Sequence, residues 1–266
     1  MSSKIVVLCG DHPRNIFFAQ AVNKYFDLTG VILQEREKMI PNNPNFCSSK
    51  DKKNYIKHFE NRKIFENYYF GEQNKLIKTN ILKVNKNNLS SNNTIEFLDK
   101  LNPDIIFVFG VGIITDPLLS FLPKNTINLH SGIIPKYKGT ACNFWPFYFL
   151  EPNWAGATFH FLIKKVDGGR IIHQVVPELN YGDTIHQVAC KSILKACEDI
   201  KKVVNGLISG NINGIPQNSS GMLFKNIDFR PEHLRVVYDQ YDDNVVDHFL
   251  NGDIKPKHPK LVKIDN

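Results

Sequence analysis

Apolar residues near the start of the chain form two short continuous runs separated by a stretch with helical spacing. The runs at residues 4–9 and 28–33 are typical of buried strands, and residues 16–26 place apolar side chains on one face of a helix. A strand, a helix and a second strand in this order form a βαβ unit with parallel strands. The pattern predicts an α/β fold with a doubly wound, mostly parallel, Rossmann-like sheet, whose ligands bind at the carboxyl ends of its strands.

Residues 35–93 have the least regular pattern. They are rich in Asn, Lys and Glu, and the spacing of their aromatic residues predicts one long amphipathic helix within residues 50–70, with the rings in the core. Residues 77–84 form a candidate strand. Residues 92–101 are predicted to form a helix, which ends before Pro103.

The strongest apolar run lies in the middle of the chain, at residues 104–109, and predicts a central parallel strand. It breaks at Gly110 and Gly112, where the absence of side chains lets a ligand approach the backbone closely. A plain strand-to-helix turn is also compatible with these glycines. A short helix at residues 116–121 and another strand at residues 125–130 follow.

The remaining sequence predicts a hairpin strand, a long helix and a small tail. An apolar run occupies residues 155–163, residues 169–176 form one strand of a hairpin, and residues 184–208 have the pattern of one long amphipathic helix. In the tail, helices are predicted at residues 231–239 and 244–250. We therefore expect a main domain over residues 1–210 and a small C-terminal extension of hairpin and helices over residues 211–266.

Composition adds limits on size and partners. At 266 residues and 42% apolar content, the chain is long enough for one large domain, or for one domain with a modest appendage. The net charge of +7 is compatible with phosphorylated or other anionic ligands and is a weak argument for nucleic acid. Lysines on a solvated surface account for the same charge.

Neither a membrane segment nor a targeting signal is predicted. No apolar run approaches the ~20 residues of a membrane helix. The N-terminus runs directly into the first strand without the layout of a signal peptide. The five cysteines include no Cys-x-x-Cys pair, so we expect reduced thiols in a cytoplasmic protein, with no disulfide framework and no metal site.

Candidate chemistry is concentrated between residues 126 and 172. Alternation along the strand at residues 125–130 places Asn128 and His130 on the same face. Asp167 follows the apolar run at residues 155–163. An amide, an imidazole and a carboxylate at strand ends can serve as oxyanion donor, base and orienting group in acyl transfer. A structural Asn-x-His pair is the alternative that the pattern leaves open.

Two other kinds of chemistry are disfavoured. Ser131 follows His130 but lacks the Gly-x-Ser-x-Gly elbow of a covalent nucleophile, which favours direct transfer from a donor to an acceptor amine. No Gly-x-Gly-x-x-Gly follows the first strand, so a dinucleotide cofactor is not expected. Arg14 and Asn15, at the start of the first helix, are placed either to hold an anion or only to cap that helix.

Three segments taken together resemble the N10-formyltetrahydrofolate-dependent formyltransferase family. They are Asn128-Leu129-His130, the IIPKYKG loop at residues 133–139, and Val166-Asp167-Gly168-Gly169. The family includes glycinamide ribonucleotide formyltransferase, the methionyl-tRNA formyltransferases and the nucleotide-sugar N-formyltransferases. The resemblance covers residues 4–210, is strongest over residues 104–172, and is specific as a set although each segment alone is weak.

The resemblance implies an enzyme that uses N10-formyltetrahydrofolate as co-substrate and no metal, with Asn128, His130 and Asp167 as catalytic residues. In that family pattern, His130 is the base toward the substrate amine and Asn128 stabilises the oxyanion. Asp167 orients His130, or a water that delivers a proton to the departing folate nitrogen. Backbone groups of two loops would hold the pterin ring. The predicted loop residues are Phe109, Gly110, Val111, Gly112, Ile113, Ile114, Ile163, Lys164, Lys165 and Val166.

The acceptor is predicted from segments outside the catalytic core. The methionyl-tRNA enzymes carry a C-terminal barrel domain, for which residues 211–266 are too few. The purine-pathway enzymes usually have a Gly-rich phosphate loop where this chain has Asp11-His12-Pro13-Arg14. The aromatic-rich residues 140–148 and the tail at residues 221–235 are more similar to the sugar N-formyltransferases, whose acceptor is an amino sugar on a dTDP-type nucleotide.

This closer resemblance implies substrate contacts and a biological setting. Trp145 would stack on a base or sugar, although packing in a helix core explains it equally well, and Arg14 or Lys136 would lie near the pyrophosphate. The predicted substrate-binding residues are His12, Arg14, Asn15, Lys136, Tyr137, Asn143 and Trp145. The resemblance also implies a homodimer, a role in O-antigen or lipopolysaccharide biosynthesis, and no nucleic-acid or membrane partner.

Two alternatives stay open. In the same reaction class, the acceptor would be phosphoribosylglycinamide or methionyl-tRNA. In a different class, the protein would bind folate or a nucleotide without catalysis. The joint presence of Asn128, His130 and Asp167 argues against a mere binding module, which has no need of all three.

Overall fold

The computed structural model describes residues 3–42, 44, 47–71 and 79–264. Within these ranges the strands are β1 (Ile5–Gly10), β2 (Leu28–Gln34), β3 (Asn80–Val84), β4 (Ile105–Phe109), β5 (Thr126–His130), β6 (Tyr137–Gly139), β7 (Ala157–Phe161), β8 (Ile171–Val175) and β9 (Met222–Phe224). The α-helices are α1 (Pro13–Tyr25), α2 (Ser49–Phe70), α3 (Asn92–Leu101), α4 (Leu118–Phe121), α5 (Trp145–Tyr148), α6 (Ile185–Glu198), α7 (Ile200–Ile208) and α8 (Val245–Leu250).

Seven of the described strands form one sheet in the order β3-β2-β1-β4-β5-β7-β8, and β6 pairs with β9 in a separate ladder. The strands from β3 to β5 in that order are parallel, whereas β7 runs antiparallel to β5 and β8 antiparallel to β7. The order reverses between β1 and β4, and their carboxyl ends border the crevice at which open α/β sheets bind ligands. The predicted fold class is confirmed.

Helices cover both faces of the sheet, which explains why β1 is apolar along its length. Ile5, Val7 and Cys9 pack in one cluster with residues of α1, α6 and α7. Val6 and Leu8 pack on the opposite face with residues of α3 and α4. All of these side chains are fully buried, and burial of apolar surface stabilises the fold by roughly 25 cal/mol per Å².

Most predicted elements are present, with small shifts at their ends. The amphipathic helix expected within residues 50–70 is α2, and the helix predicted at residues 92–101 is α3. α1 begins earlier than predicted because Pro13 occupies its first turn, where a missing N–H costs nothing. Residues 77 and 78 of one candidate strand lie outside the described residues, and β3 begins at Asn80.

Two predicted helices are corrected. The helix expected at residues 184–208 is divided at Asp199 into α6 and α7. There the ring of His173 on β8 donates a hydrogen bond to the Asp199 carboxylate at 2.8 Å, a tertiary contact that apolar periodicity does not record. The helix expected at residues 231–239 is instead a 3₁₀ turn at Pro231–His233 and a π-helical turn at Val236–Gln240.

The chain after residue 210 shares a core with the segment that follows β5. Leu234, Val237 and Val245 pack in one apolar cluster with Tyr137 and Trp145. The division at residue 210 into two domains therefore stays a prediction. None of the described helices has both the length and the apolar character needed to cross a membrane.

Candidate active site

Asn128 and His130 lie near the carboxyl end of β5. In the antiparallel pairing with β7, Asn128 lies opposite His160, and His130 lies opposite Thr158. His130 and His160 are 7% and 1% exposed, whereas Asn128 is partly exposed. The pleat of β5 therefore presents both predicted side chains, with His160 beside them, on one face of the sheet.

Asp167 enters the same site from the loop between β7 and β8. Its φ of +45° lies in the left-handed region, which Asp tolerates better than most residues. The side-chain amide of Gln217 donates to the Asp167 carbonyl at 2.7 Å and to the Gly169 carbonyl at 2.8 Å. Gln217 thereby fixes this turn and leaves the Asp167 carboxylate buried and directed inward.

The Asp167 carboxylate contacts all the other polar groups of the site. Oδ2 accepts a hydrogen bond from the Gly139 N–H at 2.7 Å and lies 3.4 Å from Nδ1 of His130. Oδ1 lies 3.4 Å from Nδ2 of Asn128 and from Nε2 of His160. Burial alone would raise the pKa of Asp167, but the positive charge that His130 carries when protonated and the hydrogen bond from the Gly139 N–H outweigh it and hold that pKa well below its usual range. Asp167 is therefore ionised at neutral pH.

The two ring nitrogens of His130 have different partners. Nε2 lies 3.0 Å from the Tyr137 carbonyl oxygen, which can only accept, so Nε2 carries a proton. Burial lowers the pKa of His130, and the raising effects of Asp167 and the Tyr137 carbonyl offset this only in part. The ring is therefore neutral at pH 7. Nδ1 is the nitrogen that can take up a proton, and Asp167 would stabilise it.

His160 belongs to this site, although the sequence analysis did not identify it. Its Nδ1 lies 2.9 Å from the Phe161 carbonyl oxygen and so carries the ring proton, which leaves Nε2 to accept from Asn128 Nδ2 at 3.0 Å. This contact turns the nitrogen of the Asn128 amide toward His160 and Asp167. The available signal was a single His in an apolar run, on the same strand face as Thr158.

Glycines allow the backbone to pass close to these side chains. A Cβ on Gly132 would lie 2.8 Å from Nε2 of His130. A Cβ on Gly139 would lie 2.0 Å from the Phe224 carbonyl oxygen, and Gly139 has a φ of +89° that side chains disfavour. The hydrogen bond from the Gly139 N–H to Asp167 therefore depends on glycine at this position.

The first segment predicted to hold a pterin ring follows β4. Gly110 has a φ of +67°, and the Gly112 N–H donates to the Gln34 side chain at 2.7 Å. Ile113 is 78% exposed, whereas Val111 and Ile114 pack partly against the core. Phe109 is a buried strand residue, so its side chain is not available to a ligand.

The second segment lies between β7 and Asp167. Ile163 and Val166 are 46% and 41% exposed, and Lys164 and Lys165 are exposed with them. Large exposed apolar side chains on two segments near one polar site are the kind of surface that a flat, partly apolar ring covers. The assignment of both segments to a cofactor stays a prediction.

His12, Arg14 and Asn15 lie at the start of α1, next to two residues of α2 that the sequence analysis did not select. Arg14 and Arg62 both contact the Glu66 carboxylate, at 3.4 and 2.8 Å, and Arg62 lies 3.3 Å from Nδ1 of His12. Burial opposes ionisation of Glu66, but the two guanidinium groups outweigh it and lower the pKa of this carboxyl. Two guanidinium groups against one carboxylate leave the cluster positive.

Two residues predicted to contact the substrate have side chains that are already paired within the protein. The ammonium of Lys136 forms an ion pair with Glu151 and lies over the Trp154 ring. Tyr137 is fully buried, and its hydroxyl donates to Glu151 at 2.5 Å. What Tyr137 contributes to the site is its main-chain carbonyl, which holds His130.

Two further residues predicted to contact the substrate also have partners within the protein. Asn143 donates to the Ser192 hydroxyl at 3.1 Å and accepts from the Gly156 N–H at 3.0 Å, so it links its own segment to α6 and to the start of β7. Trp145 is 3% exposed and stacks on Phe224 with ring centres 4.3 Å apart. Aromatic residues near a site motif indicated a stacking platform, whereas here they form the core.

A cavity of about 470 Å³ lies at the opposite edge of the sheet and does not coincide with this site. Lys4, Asp104 and Asn125 line it near the amino ends of β1, β4 and β5. Ligands of open α/β sheets bind at the carboxyl ends, so we do not assign function to this cavity. Among the described residues, no group of three or more His, Cys, Asp or Glu side chains is placed to hold a metal ion.

Comparison with known proteins identifies a family that this chain matches. A sequence model described as formyl transferase matches residues 26–199. The methionyl-tRNA formyltransferase of Macrococcus caseolyticus is 27% identical over 156 residues, which are 57% of this chain and 49% of that protein. The chain thus spans half or less of the length of the first curated relatives that it matches.

Solved structures with the same fold include two kinds of formyltransferase. A phosphoribosylglycinamide formyltransferase from Anaplasma phagocytophilum has a TM-score of 0.58 at 16% identity, covering 85% of this chain and 100% of that chain. An N-formyltransferase from Helicobacter canadensis, in complex with folinic acid and dTDP-3-aminofucose, has a TM-score of 0.55 at 16% identity, covering 87% of this chain and 78% of that chain. Likeness at such identity shows the fold alone.

The matched residues 26–199 include Asn128, His130, His160 and Asp167, which meet at one edge of the sheet. On the family match and the shared fold together, this chain belongs to the formyl transferase family of enzymes.

Proposed function

We propose that this protein transfers a formyl group from N10-formyltetrahydrofolate to the amine of a nucleotide-linked, dTDP-type deoxyamino sugar. The observation that carries the transfer chemistry is the meeting of Asn128, His130 and Asp167 around one carboxylate, although Asp167 lies 37 and 39 positions away from the other two in the sequence (167 − 130 and 167 − 128). The choice of acceptor rests on the sequence resemblance.

His130 is suited to take the proton that the acceptor amine loses. Burial keeps its imidazole neutral, and the Tyr137 carbonyl fixes the existing proton on Nε2. A proton arriving at Nδ1 gives an imidazolium beside the ionised Asp167, whose Oδ2 lies 3.4 Å away. The carboxylate thus stabilises the product of the proton transfer without itself being protonated.

Asn128 is suited to stabilise the oxygen on which negative charge develops. One N–H of its amide is held by His160 at 3.0 Å, whereas the contact to Asp167 is long, at 3.4 Å. The more weakly held N–H is the one that a ligand oxygen can capture. Asn128 is partly exposed while His130 and Asp167 are buried, so Asn128 is the most accessible of the three to a ligand.

The folate donor, when bound, would supply the formyl carbon and accept one proton on the nitrogen from which that carbon departs. The exposed Ile113, Ile163 and Val166 fit this group, since a pterin ring has apolar faces to cover and polar edges that backbone groups can bind. One proton leaves the amine and one reaches the departing nitrogen, so the transfer needs no oxidant or metal.

The positive cluster of Arg14, Arg62 and Glu66 supports an anionic acceptor such as a nucleoside diphosphate sugar. The Helicobacter canadensis structure, which carries a dTDP-amino sugar, supports the same acceptor class. A cytoplasmic location, a homodimer and the absence of nucleic-acid partners belong to this proposal as expectations from the sequence.

Two other acceptors have specific support. The curated relatives that this chain matches include methionyl-tRNA formyltransferases. The phosphoribosylglycinamide formyltransferase from Anaplasma phagocytophilum is covered over its full length. Both acceptors share the amine and an anionic portion, so the site described above accommodates either reaction chemically.

An acceptor panel tests the proposal. The protein is incubated with N10-formyltetrahydrofolate and, separately, with several dTDP-amino sugars, phosphoribosylglycinamide and methionyl-tRNA, and mass spectrometry detects the gain of one formyl group. We expect product with at least one dTDP-amino sugar. Turnover of another acceptor and none of the sugars would overturn the acceptor assignment, and no turnover with any acceptor would overturn the activity.

A further inference from the structure

Gln34, the last residue of β2, is a buried glutamine whose amide forms hydrogen bonds through both its nitrogen and its oxygen. It is 1% exposed, and its Nε2 donates to the Lys86 carbonyl at 3.0 Å. Its Oε1 accepts from the Gly112 N–H at 2.7 Å and from the Arg36 guanidinium at 3.4 Å. One side chain therefore connects the ends of β2 and β3 to the segment that follows β4.

This connection crosses the end of β1. In the sheet β1 lies between β2 and β4, so Gln34 reaches the segment after β4 over the end of the intervening strand. Gly10, the last residue of β1, leaves room for this crossing. A Cβ on Gly10 would lie 2.6 Å from the Gly110 carbonyl oxygen and 2.7 Å from Cγ of Arg36.

The segment held by Gln34 carries an exposed apolar residue. Ile113 is 78% exposed directly after the tethered Gly112. On the far side of Ile113, the Thr115 N–H donates to the Ser90 hydroxyl at 3.1 Å. Two side chains from outside the segment thus fix the backbone on either side of Ile113, and of these only Gln34 is buried.

We propose that Gln34 is a positioning residue for the donor-binding segment 110–114. By accepting a hydrogen bond from the Gly112 N–H, Gln34 fixes the position in which Ile113 and the neighbouring backbone contact the pterin ring. A free segment would have to be ordered by the ligand, and that ordering lowers affinity. This inference rests on the proposed function, because the segment has to bind folate for its position to matter.

The test compares Gln34→Leu with Gln34→Glu in the full chain. Leu removes the acceptor at similar size, whereas Glu keeps an acceptor facing Gly112 and Arg36. We expect the Kd for folinic acid to rise about tenfold in Gln34→Leu, equivalent to about 1.4 kcal/mol. In Gln34→Glu we expect the Kd to stay within threefold of wild type. At saturating donor, kcat and the KM for the acceptor should change less than threefold in both variants.

Gln187→Leu is the matched control. Gln187 accepts from the Thr184 N–H at 3.0 Å in the capping box of α6, so its loss also removes one backbone hydrogen bond, without touching segment 110–114. We expect Gln187→Leu to lower Tm by about as much as Gln34→Leu does, and to leave the Kd for folinic acid unchanged. The inference would be overturned if Gln34→Leu had the same Kd for folinic acid as wild type. It would also be overturned if Gln34→Leu and Gln187→Leu lost the same amount of affinity for folinic acid.

Amide hydrogen exchange separates this inference from the proposed function. Loss of protection at the Gly112 amide in Gln34→Leu, with protection elsewhere retained, is expected whether or not the protein binds folate. If wild type fails to bind folinic acid, the proposed function fails and the positioning role for a donor fails with it. If wild type binds and Gln34→Leu keeps both affinity and Gly112 protection, the positioning role alone is rejected.

Discussion

The protonation of His130 follows from its neighbours. The Tyr137 carbonyl accepts a hydrogen bond from the Nε2–H group, and the Asp167 carboxylate faces Nδ1. Burial keeps the ring neutral until a proton arrives, and the carboxylate then stabilises the charge. His160 performs a different task, because its hydrogen bond orients the Asn128 amide. Two histidines a few ångströms apart thus differ in role because different backbone carbonyls fix different tautomers.

Replacing His130 by Ala should remove the base and leave the donor site in place. We expect kcat to fall by about 10²–10⁴-fold, the usual contribution of a general base. The Kd for folinic acid should stay within a few-fold, since His130 acts on a proton and not on the pterin ring. His258→Ala, at an exposed position, is the control and should retain full activity. Substantial turnover by His130→Ala would reject the assigned role.

The pH dependence of kcat/KM should report the same residue. The pKa of His130 is lowered from 6.5 by burial, so the active neutral form is present above that lowered pKa and is lost as pH falls through it. We expect an acid limb with its midpoint below pH 6.5. A midpoint above pH 7 would show that a different group limits the reaction.

The start of α6 depends on a distant residue. Thr184 and Gln187 form a capping box, and the Ile185 N–H donates to the buried carboxyl of Asp243 at 3.1 Å. Asp243 has a φ of +61° and is 6% exposed. A helix whose apolar pattern is visible in the sequence is therefore anchored by a residue near the end of the chain.

Asp243→Asn should become stabilising as pH rises. Burial raises the pKa of Asp243 from 3.8 to about 6. The folded state holds this proton more tightly, so the contribution of Asp243 to stability is greatest below pH 3.8 and is lost as pH rises through about 6. Asn keeps an acceptor for Ile185 and tolerates positive φ. We expect the free energy of unfolding of the variant, relative to wild type, to increase by about 1–3 kcal/mol between pH 4 and pH 7.

Urea unfolding at a series of pH values measures this difference. Asp242→Asn is the matched control, since Asp242 is exposed and has a similar left-handed φ of +46°. The control should track wild type at every pH. Parallel pH profiles for wild type and Asp243→Asn would contradict the prediction.

Over the whole molecule, the tail is attached through both polar and apolar contacts. Arg235 makes two hydrogen bonds of 2.6 Å to the buried Asp51 on α2. Trp145 stacks on Phe224 of β9, and the Trp145 indole N–H donates to the Thr140 carbonyl at 3.0 Å. Gln217 reaches from the same part of the chain to the Asp167 turn. Loosening the tail should therefore affect both stability and the site.

Trp145→Ala tests this connection. Removing a large buried aromatic ring should lower the free energy of unfolding by about 3–5 kcal/mol. Limited proteolysis should then cut the tail after residue 210 before it cuts the sheet. Tyr68→Ala, at a position that is 81% exposed, should change stability by less than ~0.5 kcal/mol. Uniform cleavage, or equal stability of the two variants, would show that the tail is not held by this contact.

The sequence by itself determined the sheet and the strand face that carries Asn128 and His130. Runs such as residues 104–109 are apolar on both faces, and only a strand covered on both sides needs that pattern. The strand pleat alone places Asn128 and His130 on one face. These inferences succeed because periodicity reports local geometry and burial.

Only the tertiary structure decided which buried groups meet. Gln217 and Asp167 are 50 positions apart, and Gln34 and Gly112 are 78 positions apart, so no local pattern records their hydrogen bonds. The sequence around Trp145 has the same limit as a source of information. An apolar position occupied by an aromatic residue looks the same in the sequence whether the ring packs on Phe224 or on a ligand. Apolar spacing reports that a side chain is buried, whereas its partner depends on how distant segments pack together.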